Sequence, residues 1–206
     1  MSVRSSLITL SLAAAVLPAA AQNNQAPPIR IAASSFATVE VHVNQRPIGR
    51  RWYEEDAGLT GPARIAISYG QPHARGRKIV GGLIPNDTVW RFGANTATTL
   101  HTDVDLTLGS ASIPRGDYTL FLQHTGSAWS LIVNSQTGQW GTDRNAAKDL
   151  AKVALTAKEM KDNEETLTIY LVPSSADPST GYAALSGVMR IRWGTVELSV
   201  PWTVRQ

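Results

Sequence analysis

Apolar and polar side chains alternate with a period of two along most of this chain, and that pattern limits the fold more than any other feature. Val39, Val41 and Val43 alternate with Glu40 and His42. Ile65, Ile67 and Tyr69 alternate with Ala66 and Ser68. Tyr118, Leu120 and Leu122 alternate with Thr119 and Phe121, Leu131 and Val133 with Ile132, and Leu167, Ile169 and Leu171 with Thr168 and Tyr170. Successive strand side chains point to opposite faces, so each run predicts a short strand with one face in a core. Glycine-led pairs punctuate the runs. Gly109-Ser110 separates residues 103–108 from 111–113. Thr125-Gly126-Ser127 separates 118–123 from 128–133. Gly194-Thr195 separates 188–193 from 196–202. Glycine at the first position of a two-residue turn suits a hairpin. The expectation is an all-β fold: an antiparallel β-sandwich, jelly-roll or immunoglobulin-like, of roughly ten strands with little helix. Residues 145–165 fit two patterns. Leu150, Val153, Ala154 and Ala157 would share a helix face, and Ala151, Val153 and Leu155 a strand face. Some helix over 157–164 is compatible with this stretch.

The first 21 residues do not belong to that pattern. One basic residue, Arg4, precedes a short run, residues 7–17, that is apolar or small apart from Thr9 and Ser11, and Pro18 and Ala19-Ala20-Ala21 follow. This order predicts a cleavable secretory signal at residues 1–21. A polar leader with Pro27-Pro28 then spans residues 22–35, and one β domain spans 36–206. There is no cysteine, so neither disulfides nor thiolate metal sites are available and stability must come from packing. The formal charge is +3, and it falls to +2 without Arg4. No Lys/Arg stripe tracks a phosphate backbone, so nucleic acid is not an expected partner. No apolar run after residue 21 reaches membrane-spanning length. Export as a soluble domain is the expectation.

Residues 69–99 read YGQPHARGRKIVGGLIPNDTVWRFGANTATT. They form the least strand-like part of the core and the part richest in special side chains. A long irregular connection in a compact domain is often functional. Arg75, Arg77, Lys78 and Arg91 supply cations, Asn95 an amide, and Tyr69 and Trp90 aromatic faces. Arg91 and Asn95 flank Gly93-Ala94 and would grip a carboxylate, a phosphate or sugar hydroxyls if both faced one pocket. Their competing role is to bond the loop's own backbone, the commoner use of polar loop residues. Arg75, Arg77 and Lys78 would extend an anion site or form a solvated basic loop. Trp90 would stack on a ligand or, as the commoner case, anchor the core. Trp140 is likewise expected to pack in the core. The candidate ligand-binding residues are Tyr69, Arg75, Arg77, Trp90, Arg91 and Asn95.

The same residues carry a family resemblance. "YGQPHARGRKIVGGLIPNDTVWRFGANTATTL", "IPRGDYTLF", "WSLIVNSQTGQWG" and "MRIRWGTVELSVPW" resemble the blocks of the DUF2911 family of bacterial proteins, from about Ser34 to Trp202. The resemblance implies export, in a Gram-negative periplasm rather than the medium, and a β-rich domain. It brings no activity. In many members the residue after G-A-N is Glu, whereas here it is Thr96, so a scheme needing a carboxylate there does not apply to this chain.

Catalytic motifs are absent from the sequence. There is no G-x-S-x-G elbow and no Gly-rich phosphate loop. Glu54, Glu55 and Asp56 have no evident partner across a site. His101, Asp103 and Asp105 would share a strand face and could ligate a metal, although the same alternation describes an exposed face with Val104 and Leu106 inward. No catalytic residue, metal or cofactor is expected. Three functions are consistent with these features: a binding module for a small anionic or polyhydroxylated ligand, a structural or interaction protein of the cell envelope with an edge strand at 196–202, and an envelope hydrolase. The clustering in 69–99 favours the first.

Overall fold

The computed structural model describes residues 29–43, 46–48, 51–53, 63–175 and 184–205. The expected signal at residues 1–21 lies outside them. Ile31–Gln206 forms one compact unit. Its strands are β1 (Ser35–Val43), β2 (Arg46–Ile48), β3 (Arg51–Tyr53), β4 (Ala63–Gln71), β5 (Val89–Trp90), β6 (Thr98–Thr102), β7 (Leu106–Leu108), β8 (Ala111–Ile113), β9 (Gly116–Thr125), β10 (Ala128–Asn134), β11 (Asp149–Pro173) and β12 (Ser186–Val204). Among the described residues the one helical element is a single turn, Ala146–Lys148, capped by the Asn145 side chain. The all-β, antiparallel expectation holds.

Ten strands form one antiparallel sheet, in the order β1-β4-β6-β9-β10-β11-β12-β7-β8, with β5 also pairing with β9. β2 and β3 pair separately. The large sheet is not flat. β4 is second in the order and β7 is eighth, which would put them about 29 Å apart at the usual strand spacing. Yet Ile65 and Ile67 of β4 line the same small internal void as Leu106 and Leu108 of β7 and Met189 and Trp202 of β12. The sheet therefore curls over, and its two ends share one core. The hinge is β11. Leu155, Val153 and their neighbours pair with β10, and residues from Thr156 onward pair with β12. A second tie joins the end of β4 to β11. The Tyr69 hydroxyl accepts the Ile169 backbone N–H at 3.1 Å, and the Leu167 N–H donates to the Pro72 carbonyl at 3.0 Å.

The alternation sets the strand faces as expected. Ile65, Ile67, Leu120, Leu122, Leu131, Val133, Leu167 and Ile169 are all buried. Burying a side chain of this kind is worth about 1.5–3 kcal/mol. Two hairpins fall where glycine marks them. Leu108 pairs with Ala111 around Gly109-Ser110, and Thr125 pairs with Ala128 around Gly126-Ser127.

Four expectations are corrected. Residues 157–164 do not form a helix, because Glu159 pairs with Val196 and Glu164 with Gly194. Strand partners outside the segment override its local helical character. Gly194-Thr195 is not a hairpin turn, because β12 runs on through it. Instead Gly194 takes a positive φ of 61° where the β11–β12 register shifts twice, as at a bulge. Residues 196–202 are not an edge, because Val196 to Ser199 pair with β11 and Trp202 with Leu108 of β7. Residues 103–105 are not strand, because β6 stops at Thr102 and β7 starts at Leu106.

A Cβ on Gly194 would lie 3.0 Å from the Ile79 Cγ1 on a left-handed backbone. Gly194→Ala should therefore lower the unfolding free energy by about 1–3 kcal/mol. Thr195→Ala, at the exposed neighbour, should stay within about 0.5 kcal/mol of the parent. Urea titration distinguishes the two, and equal stability of the variants would remove the bend from the account of β12.

Candidate functional site

The non-glycine residues with positive φ among those described are Arg75, Asp87, Phe92 and Asn95. All fall in the segment singled out from sequence. Such backbone is costly for a bulky residue like Phe92, and it persists only where the surroundings hold it. Here they do. The Thr98 hydroxyl donates to the Phe92 carbonyl at 2.5 Å, and the Ala94 N–H donates to the Gly70 carbonyl at 3.1 Å. Gly70 is required at this crossing, because a Cβ there would sit 1.9 Å from the Ala94 oxygen. The Asn95 carbonyl accepts the Gly141 N–H at 3.0 Å, and the Gln139 carbonyl accepts the Ala97 N–H at 3.2 Å. The G-A-N loop is thus fixed to the segment around Gly141.

The six candidate residues do not converge. Tyr69 is buried, its hydroxyl engaged by Ile169, and burial pushes its phenol above the ordinary range. Arg75 donates to the Ala33 carbonyl at 2.5 Å. Its own backbone N–H donates to the Glu165 carboxylate at 2.6 Å. Arg77 clasps its own loop, with Nε on the Ala74 carbonyl at 3.0 Å and Nη2 on the His73 carbonyl at 2.8 Å. Trp90 is buried and stacks on Trp193, with centroids 5.5 Å apart. The Asn95 side chain is exposed and lines no cleft with Arg91. Only Trp90 and Arg91 of the six line the one open cleft of substantial size described here, about 370 Å³. Trp140 does not pack in the core, being 49% exposed.

That cleft lies on the outer face of β9. Leu120 and Leu122 point into the core, so Phe121 between them points out, and it is nevertheless buried. Two loops cover it. Leu83, Pro85, Val89, Trp90 and Arg91 come from the segment around β5, and Gly141, Thr142 and Arg144 from the segment after β10. The Arg144 guanidinium lies over the Phe121 ring, 5.7 Å from its centroid. It also pairs with Asp149 at the start of β11. Its Nε is buried and has no hydrogen-bond partner. An unpaired buried donor costs about 1–3 kcal/mol, so this guanidinium gains by turning toward an acceptor. Arg91 has its Nε on the Gly93 carbonyl at 3.1 Å. Among the described residues, no Asp, Glu or His lines the cleft. Sequence reading missed Arg144 and Phe121. The available signal was Phe121 itself, an aromatic residue on the face opposite Leu120 and Leu122, which requires a cover.

A family model described as a protein of unknown function (DUF2911) matches residues 54–202. The chain belongs to the DUF2911 family. No curated protein and no solved structure matches it. Both walls of the cleft lie within the DUF2911 match. No helix among the described residues is long and apolar enough to cross a membrane.

The His101 cluster has a different geometry from a metal site. His101 bridges Asp117 at 2.7 Å and Asp103 at 3.1 Å. Asp105 turns away to accept the Arg115 backbone N–H at 2.8 Å. Among the described residues no three such side chains are placed to hold a metal ion. The Arg115 N–H, with the Arg115 charge behind it, holds the Asp105 carboxyl below its ordinary range. Its contribution to stability is therefore present above the ordinary carboxylate pKa and is lost as pH falls through the lower folded value. Asp105→Asn should lose less melting temperature than the parent between about pH 5 and pH 2. Parallel thermal melts across that window would show it, and identical slopes would count against the Arg115 contact.

Proposed function

We propose that this DUF2911 chain is an exported binding module, and that the Arg91–Arg144 cleft holds its small anionic or polyhydroxylated ligand. The observation that carries the reading is that two arginines, Arg91 and Arg144, line one open cleft, and that Arg144 has an unpartnered buried donor. Guanidinium forks recognise planar oxygen pairs, and an apolar floor raises the strength of such contacts by excluding water. The strained G-A-N loop has a role in this reading: it follows Arg91 directly, and its backbone is bound to Gly141, which also lines the cleft. The site envisaged from sequence changes accordingly. Arg91 and Trp90 stay in it, Arg144, Phe121 and Thr142 join, and Tyr69, Arg75, Arg77 and Asn95 become scaffold. A hydrolase would need a general base within reach of the bound group, and the described lining offers cations instead.

Export rests on the N-terminal pattern, Arg4 followed by residues 7–17 and Ala19-Ala20-Ala21. The mass of the protein recovered from a periplasmic extract should begin at Gln22.

A thermal-shift screen with sugars, phosphates and carboxylates tests the binding reading. A true ligand at a hundred times its Kd should raise the melting temperature by roughly 5–10 °C. Arg91→Gln should keep the fold and lose that rise. A rise that survives the substitution, or none with any probe, would remove the cleft from consideration.

A further inference from the structure

We infer that the ligand of this cleft is a monocarboxylate with an apolar body, rather than a phosphate or a sugar. This rests on the binding-module reading and narrows it by three features of the lining. The first is the balance of donors and acceptors. A guanidinium has only donors to offer. Arg91 and Arg144 supply them, and the Thr142 hydroxyl is the side-chain acceptor on the described lining. A sugar hydroxyl must both donate and accept, so a sugar would leave most of its protons unpaired here. A carboxylate only accepts, which matches the two arginines.

The second feature is charge. Arg144 shares its positive charge with Asp149, and no acid lines the cleft beside Arg91. Two cations and one anion leave a single net positive charge. That balances a monoanion and falls short of inorganic phosphate, which carries more than one negative charge at neutral pH. The third is the wall. Leu83, Pro85, Val89 and Trp90 line the cleft with Arg144, and the Phe121 ring lies beneath its guanidinium. A body of several carbons would cover this surface, whereas a bare ion would leave it wet. Each buried methylene should strengthen binding about three- to fourfold.

The test uses the full exported chain, isotope-labelled, with benzoate and hexanoate as probes. Acetate, benzyl alcohol, inorganic phosphate and glucose serve as comparisons. Saturable shifts of the Trp90, Arg91, Gly141 and Thr142 backbone amides report the cleft directly and need no variant. Benzoate and hexanoate should move these amides, with acetate and benzyl alcohol about tenfold weaker or more. Phosphate and glucose should leave them in place. Arg144→Lys keeps the charge but loses the planar fork, and it should weaken hexanoate by about tenfold. If phosphate or glucose moves the cleft amides at lower concentration than hexanoate does, the carboxylate assignment is wrong and the binding module stands. If none of the six probes moves them, both fall. Equal binding of acetate and hexanoate would overturn the apolar-body part of the assignment.

Discussion

Every layer of this molecule depends on one strand serving two neighbours. β11 pairs with β10 over its first residues and with β12 over the remainder. A strand of 25 residues shared in this way cannot lie in one flat sheet, because right-handed twist accumulates along it. The sheet curls, and the inward rows of β4, β6 and β9 come to face those of β7, β11 and β12. The apolar alternation then closes a single core. The contacts of Pro72 and Tyr69 with Leu167 and Ile169 lock the curl by tying the end of β4 to the same strand.

The curl has a consequence on the outside. β9 and β10 lie mid-sheet, and each buries one large apolar side chain on its outer face. Phe121 and Ile132, which point away from the core, are as buried as Leu120 and Leu131. Something must cover them, and the chain uses the irregular segments on either side of β5 and after β10. Those segments meet edge to edge through the G-A-N loop and Gly141. The backbones approach so closely that Gly70, Gly93 and Gly141 admit no side chain without displacing a neighbour. Where the two covers do not meet, they leave the cleft. It holds Arg91 and Arg144, with the Arg144 guanidinium over the Phe121 ring.

Legibility differed by the range of the cause. The strand faces were readable because the alternation is local: Ile65, Ile67 and Tyr69 needed no partner to declare their side. The hairpins at Gly109 and Gly126 were readable for the same reason. The stretch 157–164 was not. Its lysines and glutamates suit a helix, and only the presence of β12 alongside makes it strand. Gly194 was misread because a positive-φ glycine serves a bulge and a turn equally well, and the choice depends on β11. Of the six residues singled out in 69–99, Trp90 and Arg91 line the cleft, and Tyr69, Arg75, Arg77 and Asn95 do not. Nothing local separates Arg75 and Arg77 from Arg91, and only their tertiary neighbours leave Arg91 in the cleft and the other two on their own or a neighbouring backbone.

By itself, then, the sequence determined the all-β class, the inward rows of strands such as β4, β9 and β10, the family, and the least strand-like stretch of the core. These follow from side-chain periodicity and from residue types whose conformational preferences are intrinsic. The tertiary structure decided that Arg91 lines one cleft with Arg144, a residue 53 positions away in the chain, and with Phe121. That juxtaposition depends on how a shared strand curls the sheet and on which loops then cover its outer face. Both are properties of long-range pairing, which no local pattern encodes.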